Sequence, residues 1–580
     1  MIDLMKSRLF SKKNIIRFWV PIVHFIASFF LEKILVIYDL DIPIVSAVEK
    51  DSILSLQGER VLGYIVAKIF CGIIIYLIWM LVYYFVDHYS EDKHLHLFFA
   101  IFIFGAVMLV FLWPGSFTQS SDNLITYSYA IRLFPEYWHS AYTSLIYLAC
   151  LMVFPTPYSI NLMQWLMFLF TIGYLYKRIF KCEKLNKRAK WSVFLILLVP
   201  ETAVLITDAY RTELYALVCM FYVSLILMDI IEGKKRNIFD RIWLLAFSAF
   251  ISVWRTEGLI LGLLGFAAII IFNTTLRSKR LGFYIAGFVV AFVIISIPQK
   301  LGDTKYYGSD YSIINSFATL RNIFNRTDSN LTYEGAEEDI AAIEAVVPVE
   351  AIRLYGMEGY RMYNVMNGHK DINQSVSDFA TGARYVKAFR RLALHNPKTY
   401  ALTQLGMLKV VLGLSSEPYI EKINGPMEII HDYEEYYYDA WDIGETDLTS
   451  APGARWWINN PLHQAVYNFL TSAYDTIYNF FKKIYVHSAI LIGMVLFEIV
   501  IFIRELIRAI KSRSINDFGF GFIALTLLLQ AAAIFMVMPA GVLSYFRAFY
   551  CCTFVLEILY VSKGWKKNAR STDTDNMERA

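Results

Sequence analysis

Eight residues of this sequence place chemically active side chains at the ends of long apolar segments. They are Asp122, His139, Asp208, Arg211, Glu213, Arg255, Glu257 and Arg547. A carboxylate beside a bound hydroxyl group can act as a general base, and an arginine can hold a phosphate through paired, charge-assisted hydrogen bonds. An unpaired charge inside a bilayer costs roughly 3 kcal/mol or more, so ionisable residues in apolar sequence are functional candidates. Their positions at segment ends favour a site that opens at the membrane surface.

The sharpest signal is Asp122, in the loop 113-WPGSFTQSSDNLITYSYAIRLF-134. A Pro-Gly pair ends an apolar segment there, Ser121 or Asp122 can cap a new helix, and the residues that follow alternate as in an interfacial helix. Asp122 would then stand at the rim of the bilayer. The alternative is that Asp122 is only a helix cap, and that His139, which opens the next apolar stretch, is an ordinary surface histidine.

The other charged groups also have a structural alternative. The groups at 208–213 and 255–257 could form salt bridges at the rim, each worth about 0–1 kcal/mol if exposed, although their coincidence on one side of the membrane favours a functional role. Arg547 lies several residues beyond the Pro-Ala-Gly turn at 539–541, inside a predicted span. An arginine there needs an anionic partner, such as a lipid phosphate, or a path along which its guanidinium reaches the interface.

Composition places these residues in a membrane protein. The 580-residue chain is 57% hydrophobic with a mean hydropathy of +0.46, and 18% of its residues are charged, whereas a soluble chain carries about 25%. A soluble enzyme is excluded. The 54 basic and 50 acidic residues leave a net charge of +4, which gives no basic field for nucleic acid. None of the six cysteines lies between 299 and 485, so a disulfide framework there is excluded, and no Cys-x-x-Cys pair suggests zinc.

Hydropathy predicts an all-α polytopic protein with about twelve transmembrane helices. The predicted spans are 15–38, 63–86, 96–113, 158–177, 191–207, 212–231, 240–254, 257–273, 281–298, 486–507, 518–538 and 540–560. Lys and Arg are concentrated in the loops 177–190, 234–241, 277–280 and 504–513 and in the C-terminal tail, and loops of this kind stay in the cytoplasm. The sequence therefore predicts a multi-pass protein of the cell membrane with both termini in the cytoplasm.

Two segments on the opposite, extracytoplasmic side organise the predicted domains. The loop 114–157 would carry the interfacial helix and then 139–154, an apolar stretch short enough to dip into the outer leaflet without crossing it. The segment 299–485 is long enough to form an α-rich domain before the last three spans. The prediction is thus a transmembrane core at 1–298, this extracytoplasmic domain, and a C-terminal membrane part with a cytoplasmic tail at 486–580.

This arrangement resembles the GT-C fold membrane glycosyltransferases, a family that includes oligosaccharyltransferases, protein mannosyltransferases and lipid A aminoarabinose transferases. In that fold an acidic residue stands in the first catalytic outer loop, an interfacial helix follows, and a second embedded helix often opens with His-Pro. Here 121-SD-122 and 139-HS-140 are similar, with Ser140 in place of the proline, and 211-RTE-213 and 255-RTEG-258 resemble polar motifs that open later outer loops. The resemblance covers the region before 299. The sequence departs from the family in two respects. Two spans, 15–38 and 63–86, come before the catalytic-type loop, and that loop has a single acidic residue near its start where the family has a tandem pair.

The resemblance implies transfer of a hexosyl or pentosyl group from a polyprenyl-phosphate carrier to a cell-envelope glycan or lipid-linked acceptor at the extracytoplasmic face. It implies Asp122 as the base, and Arg255 and Arg547 as cations beside the phosphate. The remaining substrate-binding residues would be His139, Asp208, Arg211, Glu213 and Glu257. A single base with direct displacement implies inversion at the sugar C1. No metal site is assigned, and a divalent cation held by the group at 208–213 stays open as a cofactor.

Three other functions stay open. A lipid-linked glycan polymerase or ligase also combines many spans with one large outer loop, and it would bind a lipid pyrophosphate through arginines of 299–485. These arginines are Arg321, Arg326, Arg384, Arg390 and Arg391. A transporter or flippase would show titratable groups near the membrane midplane, where the sequence has few. A membrane O-acyltransferase would want a histidine deep in a span, for which His24 is the evident candidate.

Overall fold

The computed structural model describes two compact units, and its described residues form helices and turns without any strand. Those residues are 12–35, 53–88, 97, 100–101, 104–105, 126, 129–130, 132–137, 140–154, 159–198, 211–233, 238–272, 281–307, 312–313, 315–355, 379–411, 465, 472, 486–537 and 543–577. The first unit comprises 1–234, 422–479 and 554–580, and the second comprises 235–421 and 480–553.

The α-helices are numbered along the chain, and a 3-10 helix at Lys187–Leu198 lies between α4 and α5. Those of the first unit are α1 (Lys12–Leu35), α2 (Ile53–His88), α3 (Ala141–Val153), α4 (Ser159–Lys181) and α5 (Arg211–Glu232). Those of the second unit are α6 (Ile238–Trp254), α7 (Gly258–Phe272), α8 (Leu281–Gly302), α9 (Phe317–Asn325), α10 (Ala336–Glu344), α11 (Val349–Tyr355), α12 (Phe379–His395), α13 (Pro397–Val411), α14 (Val486–Ser512) and α15 (Gly519–Val537). The last helix, α16 (Arg547–Met577), begins in the second unit and continues into the first.

Four helical stretches of the described chain are long and apolar enough to cross a membrane. They are Gly58–Tyr83, Arg211–Glu232, Leu281–Tyr306 and Ile515–Met536. Each exceeds the roughly 20 residues that span a hydrocarbon core. A helix satisfies its own backbone hydrogen bonds, which is why an apolar segment of this length is helical in a bilayer. These four helices support a membrane protein, whereas the count of twelve spans and the topology drawn from it stay predictions.

Helix α3 is short and lies wholly inside the first unit. Its 13 residues are all buried. At about 1.5 Å per residue the helix is about 20 Å long, which is less than the roughly 30 Å of a hydrocarbon core. It packs on α2, where Tyr142 lies 6.4 Å from Phe70 between ring centroids. The helix is thus too short to cross a membrane by itself, and the re-entrant placement of 139–154 stays a prediction.

A buried ion pair joins α1 to α2. Lys68 Nζ lies 2.6 Å from Glu32 Oε2, and both side chains are almost completely buried. The Tyr64 hydroxyl donates to Glu32 Oε1 at 2.6 Å, and Lys68 Nζ donates to Ser28 Oγ at 3.1 Å. The ammonium also lies 4.0 Å from the centroid of the Phe29 ring. Breaking a buried pair by removing one partner typically costs about 3–5 kcal/mol, so this contact fixes α1 against α2.

The part of the second unit between α8 and α14 has an apolar core of its own. The buried residues of this core are Ile313, Phe317, Leu320, Ile323, Phe324, Ile343, Val346, Val347, Ile352, Tyr385, Ala388 and Leu392. Burial raises the pKa of the Tyr385 hydroxyl, which shares a hydrogen bond of 2.7 Å with Ser316.

Asn396 fixes the bend between α12 and α13. Its Nδ2 donates to the Leu392 and Asn330 carbonyl oxygens, and its Oδ1 accepts from the Asn330 N–H.

Candidate functional site

Two neighbouring helices of the first unit, α4 and α5, run in the same direction. The rings of Phe170 and Phe221 lie 4.8 Å apart between centroids, and eight residues further along α4 the Arg178 guanidinium is bonded to Glu232 at 2.5 Å. Both contacts join residues at nearly matching distances from the starts of the two helices. The first turn of α5 therefore lies level with the first turn of α4.

The first turns of α4 and α5 form a buried polar layer. Arg211 and Glu213, two of the predicted site residues, open α5, while Ser159 and Asn161 open α4, and all four are buried. The first turn of a helix carries N–H groups that make no bond within the helix, and it is the positive end of the helix dipole. An arginine at such an end suits an anionic group such as a phosphate. Glu213 adds a carboxylate that can orient a hydroxyl group.

A second charged segment of the first unit precedes α3. Arg132 and Glu136 are buried, and the Glu136 N–H donates to Ser144 Oγ at 2.9 Å. Two residues around this segment have left-handed backbone conformations that glycine normally adopts: Leu133 with φ 59° and Ser140 with φ 124°. Such conformations cost on the order of 1–3 kcal/mol each and cluster at functional sites. The segment thus combines buried charge with a strained backbone.

Helix α2 approaches the same segment closely at Gly63. A Cβ atom at Gly63 would lie 2.6 Å from the Leu133 carbonyl oxygen. Arg60, one turn earlier on α2, is also buried. The glycine therefore lets α2 contact the backbone that carries Arg132 and Glu136.

Arg60, Arg132 and Glu136 are not among the residues predicted from the sequence. A signal exists for the last two, because they flank a proline between two apolar stretches at a predicted membrane surface. Arg60 gives no such signal, because the sequence predicts a loop at 39–62. In the structure α2 begins at Ile53, so Arg60 lies in a helix.

In the second unit, Arg255 and Glu257 form an ion pair in the turn between α6 and α7. The Arg255 Nε–H donates to Glu257 Oε1, and the two side chains are only 5% and 9% exposed. Glu257 also accepts from the Thr256 hydroxyl at 3.2 Å, and the Gly258 N–H donates to the Arg255 carbonyl oxygen at 2.9 Å. Removing one partner of a pair this buried costs more than breaking an exposed rim salt bridge, because it leaves a desolvated charge without its partner.

Small residues let α6 and α7 pack closely next to this turn. A Cβ atom at Gly262 would lie 2.0 Å from Ser252 Oγ and 2.5 Å from the Ser248 carbonyl oxygen. We expect Gly262→Ala to force the helices apart and to lower the free energy of unfolding by about 1–3 kcal/mol. Unfolding of the purified chain in detergent measures this change.

The matched control is Gly287→Ala on α8. A Cβ atom at Gly287 would have no neighbour within 4 Å, so the substitution adds helix propensity without a clash. It should leave stability unchanged or slightly higher. Equal stability of the Gly262→Ala and Gly287→Ala variants would contradict the close packing of α6 on α7.

Arg547 is the first residue of α16 and is 3% exposed. The sequence places it several residues inside a span that starts at 540, but the structure has a short 3-10 helix at Leu543–Phe546 before α16 begins. Arg547 therefore stands at the end of a helix, where its charge adds to the positive end of the dipole. One and a half turns later, the Thr553 hydroxyl donates to Glu498 Oε1 of α14 at 2.5 Å.

Glu498 is fully buried and was not predicted as a site residue. It is a single carboxylate inside the apolar run 490-ILIGMVLFEIVIFI-503, near the middle of the predicted span 486–507. A lone acidic residue in such a run is itself a functional signal.

Three predicted site residues, Asp122, His139 and Asp208, lie outside the described residues. Of the others, the structure pairs Arg255 with Glu257 in the second unit. It buries Arg211 and Glu213 in the first turn of α5 in the first unit. Among the residues that the structure describes, no group of three or more His, Cys, Asp or Glu could hold a metal ion. The roles of all eight residues stay predictions.

Some residues required by the alternative functions make structural contacts. Arg326 binds Asp328 and Arg391 binds Asp339, at 2.8 and 3.2 Å. The Arg326 guanidinium holds the pKa of the Asp328 carboxyl well below its usual range. Both ring nitrogens of His24 are also in contact: Trp79 Nε1–H donates to Nδ1 at 3.2 Å, and Nε2 lies 3.3 Å from the Val153 carbonyl oxygen.

A scan against protein-family models, a search of curated proteins and a search of solved structures each returned no match to this chain. The function is therefore inferred from the side chains and their positions.

Proposed function

We propose that this protein is a membrane glycosyltransferase of the GT-C type. It would transfer a hexosyl or pentosyl group from a polyprenyl-phosphate carrier to a cell-envelope glycan or a lipid-linked acceptor at the extracytoplasmic face. The observation that carries the proposal is the segment 132–140, which combines buried Arg132 and Glu136 with left-handed backbone at Leu133 and Ser140. It follows the loop of Asp122 directly in the sequence and leads into the short helix α3.

The proposed chemistry is a direct displacement at C1 of the sugar. The carboxylate of Asp122 takes the proton of an acceptor hydroxyl, and the acceptor oxygen forms a bond to C1. The bond between C1 and the phosphate oxygen breaks, and its electron pair leaves with the polyprenyl phosphate. Because one displacement occurs, the configuration at C1 is inverted.

The cations of the site would act on the leaving phosphate. This phosphate gains negative charge as the glycosidic bond breaks, so guanidinium groups held beside it stabilise the transition state more than the ground state. The sequence predicts Arg255 and Arg547 for this role, and both are buried in the second unit. Because such groups are buried and fixed by packing, their reorganisation during the reaction costs little free energy.

The direct test uses the purified full-length chain in liposomes. Synthetic short-chain polyprenyl-phosphate hexoses and pentoses are supplied, and free polyprenyl phosphate is measured by mass spectrometry. We expect release that depends on the protein and rises when glycan acceptors are added. Absence of protein-dependent release across the sugars, with folded protein, would contradict the proposal.

Glu498 favours a second candidate function, a transporter or flippase of a lipid-linked glycan. A buried carboxylate near the middle of a predicted span is typical of ion or substrate pathways through a bilayer. In the same liposomes this function would move the lipid-linked sugar across the bilayer with the sugar–phosphate bond intact. A transferase would instead break that bond.

A further inference from the structure

The helix α12 carries a basic face opposite the face that packs in the core. Its buried residues Tyr385, Ala388 and Leu392 belong to the apolar core between α8 and α14. The exposed residues on the opposite face follow helical spacing and are Ala380, Ala383, Arg384, Lys387, Arg390 and Leu394. The 33 residues from 379 to 411 contain six Lys and Arg residues and no Asp or Glu. The helix is therefore amphipathic, with a face of one charge sign.

The exposed face continues onto α13 with apolar side chains. Leu394 at the end of α12 is 77% exposed, and Leu402 and Leu405 of α13 are 43% and 52% exposed. Thr399 and Thr403 occupy the other side of α13, where Thr403 Oγ1 accepts a hydrogen bond of 2.9 Å from Asn322 of α9. Packing on α9 and the Asn396 contacts thus hold the leucines outward.

Two basic side chains near this face are already neutralised by the domain. Arg391 binds Asp339, and Lys398 lies 3.4 Å from Asp328. The charge that remains for an external partner comes from Arg384, Lys387 and Arg390, which are exposed.

We propose that α12 and α13 form a lipid-binding surface that lies on an anionic bilayer. The basic residues of α12 contact lipid phosphates, and Leu394, Leu402 and Leu405 enter the acyl-chain boundary. Basic and exposed apolar residues on one face are the combination by which amphipathic helices bind membranes. The second unit also contains two helical stretches long and apolar enough to span a membrane, Leu281–Tyr306 and Ile515–Met536, and these would bring a bilayer close to this domain. The proposal is independent of the glycosyltransferase chemistry.

A fluorescent probe at position 394 tests the proposal in the full-length chain. All six native cysteines are buried, so a maleimide probe reacts preferentially with Leu394→Cys. The labelled protein is placed, one copy per disc, in nanodiscs of phosphatidylcholine with or without phosphatidylglycerol and with a lipid-borne quencher. We expect fluorescence at 394 to fall by about half or more in the anionic discs. The same probe at Glu338→Cys, on the exposed acidic face of α10, should show no such loss.

Charge reversal separates lipid recognition from chance proximity. Lys387→Glu with Arg390→Glu alters only exposed positions and leaves the buried face of α12 intact, so the domain should fold with an unchanged melting temperature. Quenching should be lost in this variant and in discs without anionic lipid, and it should weaken at high salt. An unquenched probe in anionic discs would overturn the proposal. Equal quenching in neutral discs or in the charge-reversed variant, or quenching that requires two copies per disc, would overturn it as well.

Discussion

Replacing Arg547 with alanine is expected to lower turnover per folded molecule by on the order of a hundredfold or more, the scale of losing one donor to a developing oxyanion. If Arg547 holds the carrier phosphate, its guanidinium makes charge-assisted hydrogen bonds that strengthen as the glycosidic bond breaks. Arg547→Lys should recover only part of the activity, because an ammonium keeps the charge but loses the planar pair of donors. Release of polyprenyl phosphate, normalised to folded protein, measures both variants.

The control for Arg547→Ala is Arg353→Ala, which removes an exposed arginine paired with Glu350 on α11 and should leave turnover unchanged. A different outcome is expected if Arg547 only anchors its helix at the interface. Lysine would then substitute fully, and alanine would reduce the yield of protein and not its turnover. Full activity of Arg547→Lys together with near-normal activity of Arg547→Ala would end the phosphate hypothesis.

Asp122→Asn is expected to abolish transfer while the chain still folds. The amide keeps the shape of the side chain and its capacity to cap a helix, but it cannot accept a proton from the acceptor hydroxyl. General-base catalysis typically contributes about 100-fold to 10,000-fold to the rate. The rate of transfer should therefore fall by at least about 100-fold. The same release assay, together with thermal unfolding, measures activity and folding.

Glu136→Gln is the matched comparison for Asp122→Asn. Glu136 is the nearest buried carboxylate along the chain among the described residues, and its backbone N–H already bonds to Ser144. If Asp122 is the base, the Gln variant keeps more activity than the Asn variant. The reverse result would assign the base to Glu136 and reduce Asp122 to a helix cap.

Hydropathy predicted the positions of several helices closely. The predicted spans 212–231 and 257–273 coincide with α5 and α7 to within one or two residues, because charged and glycine residues interrupt the apolar runs there. The start of α2 differs by ten residues, since 53-ILSLQGERVL-62 mixes polar and apolar residues that a hydropathy window excludes but a helix accommodates. Hydropathy does not predict helix boundaries that packing determines. An example is the start of α16 at Arg547, which follows a short 3-10 helix.

The candidate site was less predictable than the helices. Arg211 and Glu213 could be selected because they stand next to an apolar run, and the structure finds them buried in one helical turn. Ser159 and Asn161 at the start of α4 could not be selected, because their position level with the start of α5 depends on two helices packing in parallel. The backbone strain at Leu133 and Ser140 could not be predicted either, because leucine and serine rarely adopt a positive φ.

The ion pair between Glu32 and Lys68 links α1 to α2 in the folded chain, and it has a consequence for the way in which these helices reach the membrane. An unmatched charge in the bilayer costs roughly 3 kcal/mol or more, whereas the paired groups satisfy each other at 2.6 Å. Helix α1 emerges from the ribosome first, so its glutamate has no matching cation until α2 has been made. Since α1 is a predicted span and α2 holds one of the four helical stretches long enough to cross a membrane, we expect the two helices to enter the lipid together as a hairpin.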